Sequence, residues 1–438
     1  MKILVVGGGG REHAVCRKLH EEGTRVISFM KNQNPGIIRD SDKYFTGDEL
    51  DHAEIIKVAK GENVDLVFVG PDPVLETPLV DNLLREGIRV ASPNRNAARI
   101  ETSKSFMRDL LSFYGIGGDV SFKAFTDTNE MRSWISDLGR EFVVKPVGLT
   151  GGKGVKVMGD HFSTVEEGIR EAEKILKRDG TVLLEEKLVG EEFSLQCFCD
   201  GNNVYPMPLA QDYKRALEGD KGPNTGGMGS ITDSDGLLPF VDRSSYEISI
   251  STVKRVSDAM KKEGNEYHGI MYAQFMETAE GPKIVEINAR FADPEGINVL
   301  SVMDSSLTET FLGIADGHVG NQPTFISKAT VLKYIVPVGY GSDPRPGPLK
   351  IKKGVENSSR RLYYAAVSGT LWNVNMTTSR SLAAVGISDS IIEASVESDL
   401  VTEYIDGNFY IRRDIGTAPY MNSKLRRMRE LKEAKHPG

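Results

Sequence analysis

The chain has 438 residues, a length that at roughly 100–200 residues per domain predicts two to four domains. Apolar residues make up 39% and charged residues 26%, with Gly 45 and Pro 19, which excludes collagen-like, coiled-coil and mucin-like chains and fits a loop-rich globular protein. Lys and Arg number 54 against 62 Asp and Glu; the resulting charge of −8 is opposite to what a nucleic-acid backbone attracts, so no nucleic acid partner is expected and an anionic ligand needs a local cationic cluster.

The opening apolar run, 1–6, is shorter than the roughly 7–15 residues of a signal-peptide core. No stretch approaches the roughly 18 apolar residues of a membrane span, so no membrane role is expected. The first hundred residues then alternate strand and helix signals. Strands are predicted over 3–6, 25–30, 64–69 and 88–91, and helices over 11–22, closed by Gly23, and 75–85. This alternation predicts a doubly wound parallel sheet. Ligands of such sheets sit at the carboxyl ends of the strands, here the Gly7 to Gly10 turn, the Asn32 to Gly36 loop and Gly70-Pro71-Asp72.

A second unit starts with a helix over 102–113, a strand over 141–147, a glycine-rich turn and a strand over 155–158. Ser163-Thr164-Val165-Glu166 has capping-box spacing for a helix that Gly180 closes, and a strand over 181–188 follows. Beyond it, strands are predicted over 193–199, 270–277 and 283–289, and helices over 246–263 and 305–316. The segment from 324 opens on a strand-like run and is rich in Gly and Pro between Pro337 and Pro348. Cys197 and Cys199 have one residue between them, unlike a zinc or redox pair, and Cys16 stands far away. A reducing cytoplasm fits this usage.

Two glycine clusters invite nucleotide readings. The dinucleotide fingerprint needs glycine at its first, third and sixth positions, but from Gly7 the sixth is Glu12 and from Gly8 it is His13. No acidic residue closes the second strand, which ends Met30-Lys31, so a nicotinamide enzyme is a poor fit. A tight turn with no ligand is one reading of this cluster. A phosphate at the helix start is the other, since free amides and the helix dipole both favour an anion there. The second cluster, Gly148-Leu149-Thr150-Gly151-Gly152-Lys153-Gly154, is not a Walker A loop: Val147 stands where its first glycine belongs and Gly154 follows the lysine. A glycine flap between antiparallel strands, beside Lys145, would close over a nucleotide instead.

Two further segments carry ligand-type chemistry. Leu184-Glu185-Glu186-Lys187-Leu188-Val189-Gly190-Glu191-Glu192 leads a strand into a connector whose acids and amides could read a base and a ribose; a solvated acidic turn is the plainer reading. In Ile284-Val285-Glu286-Ile287-Asn288, Glu286 and Asn288 are two apart and share a strand face. Paired oxygen ligands of this kind are what Mg²⁺ accepts beside substrate phosphates. If Ala279-Glu280-Gly281 is a three-residue loop with Gly281 left-handed, Gln274 lies across from Glu286 and all three share one face.

These motifs, with Gly8-Gly9-Gly10-Arg11-Glu12-His13-Ala14, Ser103-Lys104, Asp212-Tyr213-Lys214-Arg215, Gly222-Pro223-Asn224-Thr225-Gly226-Gly227-Met228-Gly229, Asn288-Ala289-Arg290-Phe291-Ala292-Asp293-Pro294-Glu295 and Arg412-Arg413-Asp414-Ile415-Gly416, resemble the ATP-grasp superfamily and within it the phosphoribosylamine–glycine ligase family. The resemblance runs nearly end to end. It implies an α/β and α+β multidomain protein: a Rossmann-like, doubly wound domain over 1–101, a split ATP-grasp domain over 102–322 with a flap subdomain at about 123–192, and a small β-rich domain over 323–438. It implies a cytoplasmic ligase of purine biosynthesis, monomer or homodimer, that joins glycine to 5-phosphoribosylamine with ATP as co-substrate and Mg²⁺ or Mn²⁺ as cofactor.

By position, the resemblance assigns Lys104 and Lys145, with Gly151, Gly152 and Lys153 of the flap, to the ATP phosphates. Glu185 would accept from the adenine amine, the Leu188 amide would meet the ring and Glu192 would bind the ribose. Gln274, Glu286 and Asn288 would hold the metal. Gly9, Gly10, Arg11, Glu12, Asn34, Gly36, Pro71 and Asp72, and on the ATP-grasp side Asn224, Thr225, Gly226, Asp293 and Glu295, are the substrate candidates. Arg290, Lys145, Asp212 and Lys214 are the catalytic ones. The chain departs from the frequent family pattern at Pro146-Val147 and at Gly296-Ile297-Asn298.

The implied chemistry follows from the substrate. A carboxylate is a poor acyl donor, so the γ-phosphate must first convert glycine to glycyl phosphate, from which the ribosylamine nitrogen displaces phosphate. Such transfer needs positioning and charge neutralisation. The alternatives are another ATP-grasp carboxylate–amine ligase and a non-catalytic nucleotide sensor. The run from Gly222 to Gly229 argues against the first, and the set Lys145, Gln274, Glu286 and Asn288 against the second.

Overall fold

A computed structural model describes residues 1–118, 120–148 and 154–435 of the chain. The first unit is a parallel sheet with strand order Lys43–Thr46, Arg25–Met30, Lys2–Val6, Leu66–Val69. Its inner strands are almost wholly buried, as their unbroken apolar runs require of a sheet covered on both faces. The expected strand at 88–91 shrinks to one parallel bridge, Val67 to Val90. The expected helix at 75–85 is two, Asp72–Leu75 and Leu79–Arg85, because Pro78 has no N–H to carry the helix across the junction.

The 122–186 segment folds into an antiparallel sheet of order Phe122–Phe125, Val182–Glu186, Phe142–Pro146, Lys156–Val157, backed by helices Met131–Leu138 and Val165–Asp179 around a separate apolar cluster. The Val165–Asp179 helix starts one residue later than its spacing suggested: Thr164 is the cap, accepting the Glu167 N–H, while Glu166 pairs with Arg132. Gly180, left-handed at φ 75°, ends the helix as expected.

The central sheet runs Val204–Pro206, Glu191–Asp200, His268–Thr278, Gly281–Asn288, all antiparallel. A five-stranded sheet then joins distant parts of the chain, because Ala329–Ile335 pairs on one side with Gly229–Thr232 and on the other with Leu382–Ser388. The main core is correspondingly continuous from Ile3 to Met428. A second, smaller core lies among the strands after 335. Cys16, Cys197 and Cys199 are buried free thiols. Among the described residues no helix is long and apolar enough to cross a membrane.

Candidate active site

The 268–288 hairpin supplies the floor of the site. Its turn holds two residues, not three: Thr278 pairs with Gly281, and a bulge at Val285 then shifts the register so that Gln274 faces Glu286 and Tyr272 faces Asn288. Arg108 fixes that bulge, donating from its guanidinium to the Ile284 and Val285 carbonyls and, through two nitrogens at 2.8 Å, to Glu185. Gln274 is 2% exposed. Its Nε2 donates to Glu192 at 2.5 Å, while its buried Oε1 has no partner. Asn288 donates weakly to Glu286 at 3.4 Å, which turns its own oxygen away from that carboxylate.

Three lysines from separate elements gather about Glu286. Lys104 opens the Lys104–Phe113 helix behind its Ser103 cap and donates to the Gly148 carbonyl at 2.8 Å. Lys145, on the Phe142–Pro146 strand, reaches Glu185 at 2.5 Å. Lys214 reaches Glu192 at 3.0 Å. Burial would raise the Glu286 carboxyl, but Lys214, Lys145 and Lys104 together hold it below its ordinary range. Burial depresses Lys104 despite Glu286. Lys214 is pushed the other way, burial being outweighed by Glu192, Glu286 and Asp212.

Gln274, Glu286 and Asn288 fit a hard divalent cation. One carboxylate and two amide oxygens, one of them buried and unbonded, make an incomplete oxygen set. Among the described residues there is no group of three or more His, Cys, Asp or Glu able to cage a metal. A partial set is what Mg²⁺ uses when phosphate oxygens complete its shell.

Glu185 is enclosed between Arg108 and Lys145, which overcome burial and hold its carboxyl at about 2. Both its oxygens are spent on these cations, so an adenine amine would have to share them. Leu188 lies in the connector between the Val182–Glu186 and Glu191–Asp200 strands, and Glu192 opens onto the site beside Lys214 and Gln274. Gly151, Gly152 and Lys153, and with them most of the expected flap, lie outside the described residues.

Next to the lysines stands a carboxyl pair. Asp212 and Glu295 are close enough that burial and the Glu295 charge push Asp212 well above the usual carboxylate range against Lys214 and Arg380. Burial raises Glu295 also, although Tyr272 donates to it at 3.0 Å. The Asp212 Oδ1 is buried without a partner. Gly227 lets the chain pass this atom: its φ is +106°, and a Cβ there would lie 2.7 Å from it. Thr225 anchors the same turn, accepting at its hydroxyl from Gly227 and donating to the Lys214 carbonyl. Asn224 pairs with Arg215 at the edge of that hairpin.

The N-terminal loops meet this region through Arg290. Its guanidinium pairs with Glu101 at 2.9 Å and lies 3.6 Å from Asp72. Burial would raise Asp72, but Arg290 and Arg11 bring its carboxyl below the ordinary value. Pro71 packs on the Gly7 turn, where a Cβ would approach within 2.9 Å of its ring. Arg11 bridges Glu12 at 2.7 Å and the Phe291 carbonyl at 2.8 Å. Glu12 in turn accepts from the Gly9 N–H at 2.9 Å, so one of the helix-start amides expected to hold a phosphate is bonded within the chain. Gly10 abuts Tyr334.

Two substrate candidates take other parts here. Asn34 is 0% exposed, accepts from Gly36 and Ile37 and donates to the Gly8, Tyr364 and Ala365 carbonyls, which leaves no free polar edge for a ligand. It holds the loop. Gly36 is small because His13 stands where its Cβ would be, 2.2 Å away.

Sequence reasoning missed Glu101, Arg108, Tyr272 and Arg380. Arg380 donates to the Gly226 and Asp293 carbonyls and pairs with the Asp293 carboxylate at 3.3 Å, while Tyr334 donates to that carboxylate at 2.5 Å. Nothing local marks Arg380, whose partners lie 87 and 154 positions away. Glu101 had a signal, its place just before Ser103-Lys104.

Residues 1–101 match the family described as phosphoribosylglycinamide synthetase, N domain, and residues 102–296 the ATP-grasp (A) domain of the same enzyme. The phosphoribosylamine–glycine ligase of Thermococcus gammatolerans is 45% identical over 434 residues, 98% of each chain. That of Methanothermobacter thermautotrophicus is 44% identical over 99% of this chain and 100% of its own. The crystal structure of the Thermotoga maritima phosphoribosylamine–glycine ligase superposes with a TM-score of 0.80 at 25% identity, covering 95% of this chain and 100% of its own.

Proposed function

The chain belongs to the phosphoribosylglycinamide synthetase family, and from that premise we propose that it joins glycine to 5-phosphoribosylamine, cleaving ATP to ADP and phosphate, as a step of purine biosynthesis. The observation that carries this reading is the gathering of Lys104, Lys145 and Lys214 about the face of Gln274, Glu286 and Asn288. Few ligands other than a polyphosphate with its cation suit three lysines beside an incomplete oxygen set.

In this reading Lys104, Lys145 and Lys214 hold the phosphates, each positioned beforehand by a partner, the Gly148 carbonyl, Glu185 and Glu192. Gln274, Glu286 and Asn288 would hold Mg²⁺ or Mn²⁺, which would supply neutralising charge for the phosphates. Arg290 meets the migrating phosphoryl group as glycine's carboxylate attacks it, giving glycyl phosphate and ADP. The ribosylamine nitrogen then attacks the acyl carbon and phosphate leaves. The single proton the nitrogen loses goes to one member of the buried Asp212–Glu295 carboxyl pair, whose Asp212 Oδ1 is without a partner. Asp72, Arg11 and the Gly9 turn hold the ribosylamine phosphate and sugar, while Asp293 and the Thr225–Gly226 turn, fixed by Arg380, shape the glycine end.

The test is ADP release with ATP, glycine and freshly generated phosphoribosylamine, omitting each in turn. ADP formation requiring both amines, with glycinamide ribonucleotide as product, is expected. Release of ADP with a different carboxylic acid at a higher kcat/KM would overturn the assignment.

A further inference from the structure

Glu101 is a buried carboxylate that the reaction scheme above does not use. It sits at the end of the helix Arg95–Thr102, 5% exposed. Its two oxygens grip neighbouring points of another segment: Oε2 accepts the Ala289 N–H at 2.7 Å and Oε1 pairs with the Arg290 guanidinium at 2.9 Å. One carboxylate thus fixes both the backbone just before Arg290 and the far end of its side chain.

The remaining contacts of Arg290 show what that grip achieves. Nη1 donates to the Phe291 carbonyl at 3.2 Å, while Nε, buried and without a hydrogen bond, faces the Asp72 carboxylate at 3.6 Å. The guanidinium is therefore hydrogen-bonded through Nη1 and paired through Nη2, while Nε faces the Asp72 carboxylate of the N-terminal loop beyond hydrogen-bond distance. An arginine on a flexible stem gains from such a hold, because its planar fork serves an anion only when its orientation is set beforehand. Lys104 lies three residues after Glu101, across the Ser103 cap, so one helix junction sets the arginine and a phosphate lysine together.

We propose that Glu101 is a positioning residue of the ligase reaction, acting on turnover through the orientation it imposes on Arg290. This rests on the reading that Arg290 meets the migrating phosphoryl group. A purely structural stitch between the helix and the strand end would instead affect stability and leave turnover alone.

The experiment is a double-mutant cycle on kcat with thermal unfolding measured in parallel. Glu101→Gln keeps an oxygen for the Ala289 N–H but loses the charge that holds Arg290. The expected result is a melting temperature close to wild type, KM for ATP within about twofold, and kcat down at least about tenfold. In an Arg290→Ala background the same substitution should cost nothing further in kcat, since the group it acts through is gone. Arg290→Lys gives a second background in which Glu101 keeps a cationic neighbour, and there the cost should shrink. Equal kcat losses in all backgrounds, or normal kcat with a lowered melting temperature, would overturn the positioning role. Normal kcat in Arg290→Ala would overturn the premise about Arg290 instead, and the proposal with it.

Discussion

Gln274 faces Glu286 across a hairpin whose turn is one residue too short to put it there, and the bulge at Val285 makes up the difference. With the turn alone, Gln274 would face Val285 and the oxygen side chains would fall on opposite faces of the sheet. Arg108, donating to the Ile284 and Val285 carbonyls, thus supports the face proposed for the metal although it touches none of the three candidate ligands.

Glu286→Gln keeps size and hydrogen bonding but removes the one charge among Gln274, Glu286 and Asn288. If Gln274, Glu286 and Asn288 formed only a polar cross-strand ladder, worth roughly 0.2–1 kcal/mol per pair, the variant would work almost normally. The expected outcome is a folded protein with near-wild-type melting temperature, strongly reduced ligase activity and a weakened Mg²⁺ dependence of ATP binding. Normal activity at low Mg²⁺ would take the residue out of the site.

Local pattern made the buried strands legible: Arg25–Met30 has the predicted bounds because its apolar run is unbroken. Lys43–Thr46 gives no local signal, being an edge strand with no buried residue and no alternation to read. The three-residue loop the spacing predicts and the two-residue turn with a bulge give the same register beyond it, so Gln274 faces Glu286 either way. What stayed hidden are pairings across long stretches of chain: Arg290 with Glu101, Arg380 with Asp293, and Ala329–Ile335 lying beside Gly229–Thr232. Periodicity carries no information about such partners, because each side of the pair is locally an ordinary helix, loop or strand residue.

The second prediction concerns Arg412, the first residue of a sequence motif with no assigned role. It is 0% exposed and donates to Asp414, Asp220, Tyr420 and the Arg215 carbonyl, so it ties the 215–224 hairpin to the C-terminal helix. Arg412→Met would leave Asp414 without its cation, while Asp220 loses one of two and keeps Lys424 at 3.7 Å. A fully buried pair broken this way costs about 3–5 kcal/mol, but Asp220 is 43% exposed and water takes up part of the loss, so about 2–3 kcal/mol is expected. Denaturant unfolding checks it, and a loss below about 0.5 kcal/mol, the scale of an ordinary surface change, would mean the cluster contributes little.

His13 links the N-terminal unit to the strand Arg360–Tyr364. Its Nδ1 accepts the Tyr364 N–H at 2.7 Å, which places the ring proton on Nε2, toward Asp40 at 3.1 Å. Burial lowers its pKa from 6.5, against the pull of Asp40. The unfolded chain therefore binds a proton near pH 6.5 that the folded chain refuses until lower pH, and stability rises with pH through that window. Its contribution is complete above 6.5 and is lost as pH falls toward the folded value. Unfolding at a series of pH values should show a steeper acid slope just below 6.5 in the wild type than in His13→Asn, which keeps an acceptor for Tyr364 and does not titrate. Parallel slopes would remove His13 as the source.

Gly9 separates the two halves of the site. Its φ of −87° suits any residue, and an added Cβ would meet only Glu12, with Oε2 at 2.6 Å. A side chain there displaces the carboxylate that accepts the Gly9 N–H and pairs with Arg11, and through Arg11 it disturbs the loops around Asp72. Gly10 is different, because its Cβ would strike Tyr334 at 2.6 Å and crowd Ala365 and Ile297 at 3.3 Å, so Gly10→Val should lower stability. Gly9→Val should leave the fold intact. The lysines proposed to hold the phosphates of ATP stand on other elements, at 104, 145 and 214, and their hydrogen-bond partners Gly148, Glu185 and Glu192 are not those of Glu12. The expected outcome is a KM for phosphoribosylamine raised about tenfold or more with KM for ATP nearly unchanged, read from initial rates at saturating glycine. Equal losses for both substrates in a folded Gly9→Val protein would place the ribosylamine elsewhere.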